Sequence, residues 1–464
     1  MSLLDACGVP LSTGDRASID RYEAAIGMLL GRAGDPEAEV AAALAEDPRF
    51  VMGHCLRAAV LILSADEANE PGLRECLAAA DELAPRANDR ERRHIAAARA
   101  WLERDFARAI RLYGEVLIDY PRDRIALRVA NFGDFFLGQQ SMLRDRVAQV
   151  LPYWDESVPG YGYVLGMYAF GLEETALYAQ AEGTARRALE LDRPNPGAVH
   201  AIAHVMEMQG RQCEGIAWLK ETAAQWAWGK RTATHLWWHL ALFHLDLDEA
   251  SSALDIYDAH IGARPGMPLS SLADASALLW RLHLRGLSLG GRWRELADQW
   301  ASRHLSAYCP FYDLHAMAAF IGAGDAVHVE ESLRTLHDRA SSNDPGARRV
   351  RDISLPIAEA FDGLRPAQGR HGRGRRQGHQ PQRQIHKPRL AALSAIGAAP
   401  QESCRYPPEQ GAHLHHAHVR FTRRKRILGF QATAGRTDLG RTPGILHGGR
   451  HRAGNLPAGH LRQG

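Results

Sequence analysis

The sequence predicts an all-α chain: a right-handed solenoid of stacked helix pairs, followed by a basic tail. Three observations lead there. Apolar residues recur at three-and-four spacing nearly throughout residues 15–362, and strand-like alternation is rare. Prolines that end helical segments return at a near-constant interval, Pro48, Pro85 and Pro121 lying 37 and 36 residues apart. Near residue 363 the composition changes abruptly.

Residues 1–14 read as an N-terminal extension. Met1 to Asp5 has neither the basic nor the apolar segment of a secretory leader. Two early helices close at prolines, Ala43–Pro48 and Ala80–Pro85. Residues 105–121 then form a second helix of a pair: Phe106, Ala109 three residues on, Val116-Leu117, and Pro121 after the helix. Residues 177–192 repeat the pattern with Tyr178, Ala181 and Ala188-Leu189. The position of Phe106 recurs at Glu70, Gln140, Tyr178, Gln212 and Ala250, giving intervals of 36, 34, 38, 34 and 38 residues. Such a period suits helix pairs that each bury an apolar face on their neighbours. Gly291-Arg292-Trp293 and Gly324-Asp325-Ala326 read as two further turns, for about eight pairs up to residue 362.

The net charge of +2 conceals a split. Residues 371–464 hold 17 Lys and Arg against 3 Asp and Glu, together with ten of the 23 histidines, so the preceding body is acidic. The tail 363–464 is a low-complexity basic segment without motif or helical period. It reads as disordered, and its Arg, Gly, Pro, Ala and His content fits a frameshifted stretch of GC-rich coding sequence better than a nucleic-acid-binding arm. No apolar run is long enough to span a membrane. Six scattered cysteines without a Cys-x-x-Cys pair fit reduced thiols and a cytoplasmic location, with Cys213 and Cys309 expected as buried small hydrophobes. Trp101, Trp218, Trp280 and Trp293 fall at apolar positions and are expected in the core.

The stretches Leu165–Glu174, His200–Met208, His235–Leu242, Ile256–Ile261 and Asp274–Arg281 together resemble the tetratricopeptide repeat protein 38 family, over about residues 10–362. The resemblance implies a tetratricopeptide α-solenoid. It implies no reaction, and it stops where the tail begins.

No nucleotide or nucleophile motif is present. Gly229-Lys230-Arg231-Thr232 is similar to the end of a P-loop but lacks the upstream glycine. The informative feature is a histidine cluster. His200, His204 and Glu207 share one helix face at i, i+4 and i+7, and His235 and His239 form a second i, i+4 pair one repeat later. In the tetratricopeptide register the first helix of each pair lines the concave groove. That register brings Tyr163, Phe170, Glu173, Glu174, His200, His204, Glu207, His235 and Trp238 to the groove and leaves His239 one position off it. Three readings follow. The histidines and tryptophans could simply pack between helices. The groove could hold a peptide, protein or small-molecule ligand, as a binding scaffold, with Tyr163, Phe170 and Trp238 as apolar walls. Or His200, His204, Glu207, His235 and His239, with Glu173 as an alternative carboxylate, could bind a divalent metal, Zn, Fe or Mn. With an open coordination position such a site would support metal-dependent hydrolysis, Glu207 or Glu174 acting as base. The scaffold leads and the metal-dependent enzyme is its alternative.

Overall fold

The repeat turns on one backbone device. In the computed structural model, residues 3–363 are described apart from positions 14, 33, 229, 304 and 344, and nine turns between paired helices each carry a residue with positive φ. These are Arg32, Ala65, Arg104, Gly138, Ala176, Gly210, Asp248, Gly286 and Gly324. Four are glycines, which reach this region without a Cβ penalty. The others adopt it as isolated turn residues. From Arg104 onward they recur every 34 or 38 residues.

The pairs are α1 (Arg16–Gly31) with α2 (Pro36–Glu46), α3 (Val51–Ile62) with α4 (Glu70–Glu82), α5 (Asp89–Leu102) with α6 (Phe106–Asp119), and α7 (Arg124–Phe136) with α8 (Gln140–Val150). There follow α9 (Tyr161–Glu174) with α10 (Tyr178–Leu191), α11 (Pro196–Met208) with α12 (Gln212–Glu221), and α13 (Lys230–Asp246) with α14 (Ala250–Ile256). The last pairs are α15 (Leu269–Leu284) with α16 (Arg292–Ala301) and α17 (Pro310–Ala323) with α18 (Ala326–Ser341), before a terminal segment that ends in α19 (Leu355–Asp362). The described residues thus hold nine pairs, against about eight read from the periodicity. Phe106 and its five equivalents all prove to be the first residues of second helices. The tail, with the expectations of disorder and frameshift placed on it, lies outside the described residues.

Local signals set the helix starts. Asp15, Asp35, Asp105, Asp123, Asn195 and Asp325 each accept a backbone N–H of the first turn, and Asn88 with Glu91 forms a reciprocal capping box. Small residues allow close stacking. On α11, Ala198, Ala201, Ala203 and Ile202 are fully buried against α9 and α13. At Gly171 of α9 a Cβ would lie 2.6 Å from the Arg144 Cα, so only glycine lets α8 approach that closely. Trp101 and Trp293 are core residues as expected, Trp218 and Trp280 are half-buried, and Cys309 is buried. Cys213 departs from expectation: it is exposed on the outer helix α12.

The extension forms a short hairpin, β1 (Leu3–Leu4) against β2 (Pro10–Leu11), with Asp5 accepting the N–H groups of Cys7 and Val9. The last repeats return to the first. Tyr308, between α16 and α17, accepts the indole N–H of Trp101 at 2.9 Å and stands edge-on to Phe106. Ser306 bonds Glu67, and the Arg349 guanidinium lies 5.9 Å from the Phe136 ring. The last repeats are therefore joined to the first by a seam.

Candidate metal centre

The first helices of four consecutive pairs, α9, α11, α13 and α15, meet at one point. His200 and His204 project from α11 and His235 and His239 from α13, each pair one helical turn apart. One nitrogen from each of the four rings falls within a set no wider than 4.8 Å. Nε2 of His200 lies 2.9 Å from that of His204 and 3.0 Å from that of His235, and Nε2 of His235 lies 3.3 Å from that of His239. Metal–nitrogen bonds of about 2.0–2.1 Å separate neighbouring donors by about 2.9–3.4 Å, depending on the coordination angle. The rings already stand at that spacing.

Behind three of the rings sits a carboxylate. Nδ1 of His204 is 3.2 Å from Glu173, Nδ1 of His235 is 3.0 Å from Asp274, and Nδ1 of His239 is 3.1 Å from Glu207. Asp274 and Glu207 accept from Nδ1–H of His235 and His239 and so fix the tautomer that presents a bare Nε2 lone pair inward, while Glu173 stands at ion-pair distance from His204. The proton count then fails for a purely structural cluster. With Nδ1 protonated on His235 and His239, only His200 can offer His235 an Nε2–H. The contact between His235 and His239 has none. A cation at the convergence point resolves that contact.

His200 and His239 are also held in their ligating, neutral form. Burial, reinforced by the three neighbouring rings, lowers the pKa of His200 well below the usual range. Burial brings that of His239 down to about 3 in spite of Glu207. The centre is not sealed: His239 is 1% exposed, whereas His235 is 34% exposed.

Aromatic residues flank it. Phe170 of α9 lies 5.3 and 5.4 Å from the rings of His200 and His204 and continues to Phe135 of α7, which is exposed. On the other side Trp238 stacks on His235 at 5.4 Å and 11°. Glu174 joins Glu173 and His204 in a second group whose possible ligand atoms lie within 4.8 Å of one another.

The sequence expectations divide accordingly. His200, His204, His235, Phe170, Glu173, Glu174 and Trp238 lie near one another. His239, read as off the groove, is in the cluster. Glu207, read as a metal ligand or base, stands behind His239, because seven residues of helix carry it past the His200–His204 stripe toward α13. Tyr163 is not beside the histidines. It lies two turns before Phe170 and packs its hydroxyl against Gly31 of α1. Asp274 was missed, although it lies 39 residues after His235, about one repeat on, and so was marked by the period.

No family model matches the sequence. The structure is similar to the crystal structure of yeast Tom70 at 12% identity over 75% of this chain and 87% of that one, with a TM-score of 0.33. No residue role is carried across at that level. No helix among the described residues is long and apolar enough to cross a membrane.

Proposed function

We propose that this tetratricopeptide-like solenoid binds one divalent transition-metal ion, Zn, Fe or Mn, through His200, His204, His235 and His239, and acts on a small molecule that reaches the ion from the inner groove. The observation that carries the reading is the convergence of four Nε2 atoms, three of them backed by carboxylates on Nδ1. Neutral imidazoles suit all three metals. A bound ion would supply Lewis-acid polarisation of a carbonyl or phosphoryl oxygen. Glu207 is committed to His239, so Glu174 is the carboxylate best placed to take a proton. Hydrolysis is the reaction class these groups suit.

A second reading has its own support. Phe135 is 54% exposed and contiguous with Phe170, an aromatic wall suited to an apolar ligand held without chemistry. Metal content separates the two. Purified full-length protein should carry one equivalent of metal more than a His200→Ala/His204→Ala variant. That difference discounts ions held by the tail histidines, which both proteins share. Equal metal content in the two would remove the metal centre and leave the ligand-binding groove.

A further inference from the structure

The side of the centre facing α15 carries a half-buried cation that no carboxylate among the described residues touches directly, although Glu207, Asp246 and Asp274 lie in its electrostatic neighbourhood. Arg281 of α15 places its guanidinium carbon 5.4 Å from the Trp238 ring, the ring stacked on His235. Nη1 donates to the Ala277 carbonyl of its own helix at 3.0 Å. Among the described residues no carboxylate stands within ion-pair distance of it. The two carboxylates nearest the centre on this side, Glu207 and Asp274, are engaged by His239 and His235. Burial lowers the pKa of Arg281 even with the attraction of Glu207 and Asp246. Next to it the indole N–H of Trp238 is buried and unbonded. A guanidinium has five N–H donors in a planar fork, and removing it from water without an anion is costly. The fork matches the paired oxygens of a carboxylate or a phosphate.

We propose that the ligand of the metal centre is an oxyanion, a small molecule bearing a carboxylate or phosphate group, and that Arg281 anchors that group beside His235. The proposal rests on the metal reading above. Arg281 acts as a specificity residue, since it touches the ligand and not the metal.

The test uses full-length protein loaded with Co(II), whose visible bands report its coordination. Acetate and inorganic phosphate are titrated separately. The wild type should show a saturable change in the bands, and the tighter of the two anions identifies the chemical class. Arg281→Ala should keep the anion-free spectrum and the cobalt stoichiometry but bind the preferred anion about 10- to 100-fold more weakly. Arg281→Lys should recover part of that loss and guards against a folding defect in the alanine variant. Equal anion affinity in Arg281→Ala would overturn the proposal. So would cobalt bands that neither anion moves. Absence of histidine-dependent cobalt bands in the wild type would overturn the metal centre itself, and the anion site with it.

Discussion

Replacing Asp274 with alanine should weaken metal binding without unfolding the chain. Asp274 accepts from Nδ1 of His235 at 3.0 Å, and its side chain is 14% exposed, so the contact is only partly shielded from water. A hydrogen bond to a charged acceptor contributes about 1.5–3 kcal/mol. Losing it also frees His235 to carry its proton on Nε2, where the metal must sit. Removal of such supporting carboxylates weakens metal affinity by about 10- to 100-fold, or about 1.4–2.7 kcal/mol. The two ranges overlap, so a loss of about 30-fold is expected. Asp274→Asn keeps an acceptor and loses only the charge, so its loss should be smaller. Alanine suits the α15 interior, so the metal-free variant should melt close to the metal-free wild type. The assay is competition for Zn²⁺ against a chromophoric chelator, with thermal unfolding of both apo proteins beside it. An affinity within twofold of wild type would refute the reasoning, because His235 would then present Nε2 without help.

Three further outcomes are expected. Burial, with Glu67 nearby, pushes the Asp313 carboxyl up to about 7, against the pull of the Ala307 N–H. A carboxyl raised in the folded state holds its proton longer than in the unfolded chain. Its effect is therefore a loss of stability as pH rises from about 4 to about 7. Asp313→Asn should remove that loss and stabilise the protein at pH 8 by on the order of 2–4 kcal/mol, with little difference near pH 4; urea midpoints at the two pH values check it, and a less stable variant at pH 8 would contradict it. Gly171→Ala should cost about 1–3 kcal/mol in urea unfolding, because the new Cβ meets backbone of α8 that cannot swing aside. Tyr308→Phe leaves the Trp101 indole N–H buried without its acceptor and should destabilise the closing seam by about 1–3 kcal/mol, read from Trp fluorescence during unfolding.

Much of the fold is legible in the sequence because the repeat is encoded locally. The interval between Phe106-equivalent residues is the interval between turns, and each turn is made by one residue two positions earlier, from Arg104 to Asp248. The histidine pairs were legible for the same reason, since i, i+4 spacing on a helix is a local property. What failed was register. α13 runs 17 residues against 13 for α11, so a groove position counted back from Ala250 slips and places His239 outside. Glu207 was misread because a sequence gives the face of a residue but not the neighbour it reaches. The seam between Tyr308 and Trp101 joins residues 207 positions apart, and no local pattern announces it.

X-ray absorption at the metal edge tests the centre most directly. Full-length protein loaded with one equivalent of Zn²⁺ should show about four nitrogen scatterers at about 2.0–2.1 Å with the outer-shell signature of imidazole. That signature should be lost in His200→Ala/His204→Ala. A spectrum that the double substitution leaves unchanged would place the ion elsewhere on the chain and contradict the four-histidine site.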